Sequence, residues 1–150
     1  MANAMLLPPP DVPTFSGDYI EFASFIKAFN ARIVPHTTSD TERLGYLDQY
    51  IVGEPKGVIK ACTLMDGTEG YEKAMKELKE EYGNPYKVSR AYVDKLMKWK
   101  NIRNDDAVGL QKLARFLMEC NVAMKSLSYM EVLNHIPNLQ TVASKLPSYL

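Results

Sequence analysis

Cysteine is scarce in this 150-residue chain: there are two, Cys62 and Cys120, far apart and each inside a helical apolar pattern. Neither has a second Cys or a His two to four residues on, so there is no CxxC and no zinc-type spacing. Two buried thiols in a reducing compartment are the expectation. Histidine is equally scarce, with His36 and His135 far apart and no HExxH. Cys120 with His135 is the one nucleophile–base pairing on offer, and Cys120 falls on an apolar stripe where a thiol is inert. No GxxxxGK[ST] or GxGxxG occurs among the eight glycines. The carboxylate pairs Glu80-Glu81 and Asp105-Asp106 are adjacent in sequence, and neighbours on a helix do not face a common point. Catalysis, metal and cofactor chemistry are therefore not expected. No apolar run approaches the ~18–20 residues that span a bilayer, and Met1–Pro10 lacks a basic n-region. An intracellular, cytoplasmic protein is expected. Strand-like alternation persists nowhere.

What is present is helical period. From Phe15 to Pro35, Phe22, Phe25, Ile26, Phe29 and Ile33 form one apolar stripe. Asp18 is expected to cap this helix and Pro35 to stop it. Ser39-Asp-Thr-Glu42 is a capping box opening a second helix with Leu44, Leu47, Tyr50 and Ile51. Pro55 starts a short third carrying Val58, Ile59 and Cys62. Thr68 is expected to cap a fourth, with Tyr71, Ala74, Met75, Leu78 and Tyr82 inward and Gly83 at its C′ position. A fifth, with Val88, Tyr92, Leu96 and Trp99, runs to about Lys100, and Asn104-Asp105-Asp106 opens the longest, Leu110 to Leu127. Ser128 and Pro137 start two shorter ones. The fold class is all-α.

Net charge is zero, yet the halves differ. Residues 1–84 hold 8 Lys/Arg against 13 Asp/Glu, net −5, and residues 85–150 hold 10 against 5, net +5. The sign changes at Gly83-Asn84-Pro85, the sharpest interior break. The expected organisation is a proline-rich extended leader over 1–13, a helical domain over 14–84 and a second over 85–150. Opposite charges favour head-to-tail contact between copies. Lys95, Lys98, Lys100 and Arg103, with Trp99 among them, form a candidate RNA contact, since cations track phosphates and an aromatic ring stacks on a base. The alternative is a solvated helix flank with Trp99 in the core.

The ordered motifs resemble the Gag capsid region of LTR retrotransposons, most closely the Bel/Pao type. The resemblance rests on Pro13-Thr-Phe-Ser-Gly-Asp18 before an aromatic-rich helix, then Asp40-Thr-Glu-Arg-Leu-Gly-Tyr-Leu47 and Val52-Gly-Glu-Pro55. It continues through Tyr71 to Pro85, Leu110 to Leu127 and Ser144-Lys-Leu-Pro147. It implies two small capsid-like helical domains that self-assemble into a shell around RNA, in an element's polyprotein or a host gene domesticated from one. No CCHC zinc knuckle lies in these residues, so RNA binding is expected to be weak. Glu21 and Lys27 are candidate ring contacts, Tyr129, Met130 and Leu133 candidate dimer contacts, and Gly83, Asn84 and Pro85 the candidate hinge. An alternative is an adaptor whose groove at Phe22, Phe25 and Phe29 takes a peptide partner.

Overall fold

The computed structural model describes residues 12–127. Those residues are all-α: six α-helices with short π and 3₁₀ turns, and one isolated bridge in place of any strand. The chain divides into two compact units between Asn84 and Pro85.

In the first unit, α1 spans Phe22–Ala28, three residues later than an Asp18 cap requires. The Asp18 carboxylate accepts the Ile20 N–H at 2.9 Å and its carbonyl accepts the Glu21 N–H at 3.0 Å, which makes a turn ahead of the helix. Glu21 occupies the N-cap position with no side-chain cap. The cause is local: short Asp side chains close Asx turns as readily as they cap, and Gly17 just before it has φ 109°. After Ala28 the helix widens to a π turn, Phe29–Ile33, with the Val34 N–H reaching back to the Phe29 carbonyl. Pro35 has no N–H with which to prolong it. A 3₁₀ turn, Val34–His36, ends the element, and the Thr37 hydroxyl and N–H both donate to the Val34 carbonyl.

Helix α2 spans Asp40–Tyr50. Ser39 Oγ accepts the Glu42 N–H at 3.2 Å, as a capping box requires. The Glu42 carboxylate, however, takes the Thr38 hydroxyl at 2.6 Å, so only half the box forms. Helix α3 spans Glu54–Ile59 with Pro55 in its first turn and runs into a 3₁₀ turn, Lys60–Leu64. Helix α4 spans Gly67–Tyr82 and starts one residue before Thr68, with Asp66 at the N-cap position. Gly83 follows it at φ −98°, not in the left-handed region expected of a C′ glycine. What Gly83 supplies is room, since a Cβ there would lie 2.7 Å from the Lys79 carbonyl oxygen.

The core of this unit gathers Phe15, Phe22, Phe25, Phe29, Ile33, Leu47, Ile51, Ile59, Leu78 and Tyr82. Phe15 comes from the segment before α1. Its N–H donates to the Tyr50 carbonyl and its carbonyl accepts the Val52 N–H, both at 2.9 Å, in a single-residue parallel bridge to Ile51. Two residues on, Gly17 packs on the ring of Pro55, where an added Cβ would stand 3.3 Å from Pro55 Cγ and Cδ. The stretches Pro13–Asp18 and Val52–Pro55 thus form one clasp. Against α4 the close approach is at Gly70, which is buried; a Cβ there would strike the Cys62 carbonyl oxygen and sit 3.0 Å from Leu44 Cδ2.

The second unit is a helical hairpin of α5 (Pro85–Met97) and α6 (Ala107–Leu127). Helix α5 starts on Pro85 and stops three residues short of Lys100. Asp106 caps α6 by accepting the Gly109 N–H at 2.8 Å. Val88, Tyr92, Val93 and Leu96 face Leu113, Phe116, Cys120 and Met124, and Ile102 from the connection is buried as well.

Gly70→Ala is expected to lower stability by about 1–3 kcal/mol, because a backbone carbonyl cannot swing aside as a flexible side chain can. Chemical denaturation of the two proteins checks this, and an unchanged midpoint would contradict the close packing described.

Candidate functional site

The residues expected to carry function fall into three settings. Phe22, Phe25 and Phe29 are enclosed, at 5%, 2% and 0% exposure. Phe15 fills the space over them, its ring centroid 5.3 Å from Phe22 and 5.5 Å from Phe25, and Tyr82 closes on Phe15 at 5.0 Å. An open aromatic groove for a peptide does not exist on this face. The chain's own Phe15 and Tyr82 occupy the place a peptide would take.

Glu21 and Lys27 are both exposed. Six residues apart, they point about 120° from one another around a helix of 3.6 residues per turn, so they do not share one contact face. Beside Glu21 a small groove of about 170 Å³ runs between the clasp and α1, lined by Thr14, Ser16, Asp18 and Ser24. Elsewhere on the unit, Thr41, Leu44, Gly45, Asp48, Thr63, Met65 and Gly67 line a shallow hollow of about 270 Å³. Beside it Leu64 is 88% exposed. Gly83 and Pro85 lie at the junction of the two units, where the Gly83 N–H donates to the Lys79 carbonyl at 3.0 Å.

In the second unit the basic cluster divides. Trp99 stacks on Phe116 with centroids 5.1 Å apart, and the Lys95 ammonium lies 5.0 Å over the same Phe116 ring. Both are held against the hairpin by aromatic and cation–π attraction. Trp99 is half-buried, so only part of its ring is open to a base. Lys98 and Lys100 are exposed on the connection, and Arg103 forms a solvent-exposed ion pair with Asp105 at 3.7 Å. Exposed pairs of this kind contribute little to stability, which leaves the guanidinium available to an anion. Tyr129, Met130 and Leu133 lie outside the described residues.

The structure adds a surface that the apolar period did not separate from the core. Val108, Met118 and Val122 of α6 are exposed on the side away from Leu113, Phe116 and Cys120, interspersed with Lys112, Arg115 and Lys125. The signal was present as a second apolar strip on a helix already supplied with one.

Both cysteines are free and buried. Cys120 is buried, and burial, helped by neighbouring Glu119, pushes its thiol from an ordinary 9.0 to about 11. Cys62 is also buried, and burial and then Glu77 raise its thiol. His135 lies outside the described residues. Among the described residues no three His, Cys, Asp or Glu side chains gather as a metal site would need, and no helix is long and apolar enough to cross a membrane.

A family model described as a protein of unknown function (DUF1759) matches residues 15–147. No curated protein and no solved structure matches the chain.

A thiol raised in the fold is favoured there in its neutral form. The contribution of Cys120 is thus fully present below pH 9.0 and lost as pH rises through about 11. Native protein at pH 8 is expected to resist alkylation at Cys120 until denatured. The unfolding midpoint should fall between pH 9 and 11 more for the native chain than for Cys120→Ala. Rapid labelling of the folded chain would contradict this placement.

Proposed function

The chain belongs to the family of proteins of unknown function DUF1759, and from that premise we propose that it is a Gag-like structural protein of the LTR-retrotransposon type, Bel/Pao in character, element-encoded or domesticated. Its role is to associate with copies of itself into a capsid-like shell within the cell, not to catalyse a reaction. The observation that carries the reading is the pairing of two compact helical units of opposite net charge, −5 and +5, at the Asn84–Pro85 junction.

The physics supports it. Each unit is small, and small domains bury a limited fraction of their surface. Docking the acidic unit of one copy on the basic unit of the next buries more surface in a self-propagating, head-to-tail way. The strip of Val108, Met118 and Val122 offers apolar area for such a contact, and its Lys112, Arg115 and Lys125 suit an acidic partner surface. Gly83, Asn84 and Pro85 serve as the hinge that lets curvature vary. RNA is the proposed cargo, held weakly through Lys98, Lys100 and Arg103, with Lys95 and Trp99 committed largely to Phe116.

Size-exclusion chromatography and negative-stain microscopy across protein and salt concentration test the assembly. Oligomers that dissolve as salt rises are expected, because the charge term between units is screened within about 10 Å at 0.1 M. A strict monomer at the highest concentrations, with and without RNA, overturns the reading. For the cargo, charge reversal at Lys98, Lys100 and Arg103 is expected to weaken RNA binding and flatten its salt dependence by roughly 0.7 per cation removed. An unchanged salt slope removes RNA from the account.

A further inference from the structure

Three half-buried rings stand in a row on the first unit. Tyr46 and Tyr50 lie about one turn apart on α2, nearly parallel, with centroids 6.4 Å apart. His36, from the 3₁₀ turn after α1, stands edge-on to Tyr46, also at 6.4 Å. One half-exposed aromatic side chain is ordinary. Three in an even row form a ladder, and polyproline segments dock on aromatic-lined surfaces because their backbone is already extended and loses little freedom on binding.

The chain carries such a segment and delivers it to the ladder. Residues 6–10 read Leu-Leu-Pro-Pro-Pro, and the first ten residues hold no charged side chain. They precede the described residues, which begin already seated. Val12 is buried with the core of the first unit, and Pro13 and Thr14 line the groove against α1. Phe15 donates its N–H to the carbonyl of Tyr50, a residue of the ladder itself. The bridge from Phe15 to Ile51 is parallel, so the residues before Phe15 run back beside those before Ile51, in the direction of Tyr46. Extended chain advances about 3.3 Å per residue and a helix about 1.5 Å. The five residues from Phe15 back to Pro10 thus have about twice the reach needed to pass from Ile51 to Tyr46.

Charge decides between occupants. Aromatic rings also stack on nucleobases, but residues 1–84 carry net −5, which repels a phosphate backbone and leaves an uncharged proline segment unaffected.

We propose that residues 6–10 dock on the ladder of Tyr50, Tyr46 and His36 in the same copy of the chain. A tethered segment meets its site at roughly millimolar effective concentration, so a contact too weak to hold a free peptide is still filled. This docking is independent of self-assembly and holds whether or not copies associate.

A nitroxide placed on Ala4→Cys in the full chain tests it by NMR, since Cys62 and Cys120 are buried and do not compete for the label. Line broadening is expected at the rings of Tyr46, Tyr50 and His36. It should fall about twofold or more, as the docked population falls, when Pro8, Pro9 and Pro10 are all replaced by serine. Tyr46→Ala should lower the broadening at Tyr50 in the same way, with circular dichroism as a fold check; the proline variant alters no core residue and decides the matter if Tyr46→Ala unfolds. No broadening, or broadening that the proline variant leaves unchanged, overturns the docking. Spin-labelled chain mixed with isotope-labelled chain that lacks the nitroxide reports only contacts between copies. Broadening of the rings in that mixture as strong as within one copy assigns the ladder to a neighbour's leader and overturns docking in the same copy. Rings that shift with a single-stranded RNA oligonucleotide and ignore the proline variant make nucleic acid the occupant and overturn it as well.

Discussion

Phe15 holds the first unit together, and the constraint it imposes is unusually dense for one residue. Its ring is shared by α1 through Phe22 and Phe25 and by the end of α4 through Tyr82. Its backbone meanwhile satisfies the Tyr50 carbonyl and the Val52 N–H at the point where α2 has ended. Each aromatic contact contributes roughly 0.5–1.5 kcal/mol beyond the area it buries. The larger consequence is geometric. With Phe15 pinned at both ring and backbone, the next residues must turn sharply to enter α1. Gly17 at φ 109° against Pro55 is that turn.

The same constraint explains which parts of the fold were legible. Apolar stripes with several turns of repetition, such as Ala74, Met75, Leu78 and Tyr82 or Leu113, Phe116, Cys120 and Met124, reach the core as the 3.6 period requires. Helix starts were less legible, because Asp18 closes a local turn instead of capping and Asp66 takes the N-cap position of α4 ahead of Thr68. The Glu42 half of the capping box was lost to a nearer hydroxyl on Thr38. The bridge between Phe15 and Ile51 left no trace in sequence, since one paired residue has no alternation to detect. Glycine was the least readable residue. Gly70, Gly17 and Gly45 look alike on paper, and only the space around them separates a tight helix contact, a forced turn and an open recess.

The candidate site was legible to a similar degree. Charge division between the halves was plain from composition, and Lys98 and Lys100 are exposed on the connection after α5. The Phe22, Phe25 and Phe29 face could be read as apolar, but not as filled, because its lid arrives from a segment outside the helical period. Trp99 had two readings open. The ring stacks on Phe116, and part of it remains at the surface. Met118 and Val122 were hidden among core residues of the same type, since a helix with apolar side chains on two faces offers no clean stripe.

A structure closed at Phe15 also has an order of completion. Its contact with Tyr82 joins the first residues of the unit to nearly the last, so the pieces between must exist before the lid can shut. On a ribosome, α1 through α3 would emerge with their aromatic face still wet, and only the arrival of the last turn of α4 would dry it. Long-range closure of this kind is slow relative to helix formation. The interval is one in which two nascent copies could trade segments, with Phe15 of one closing the face of the other.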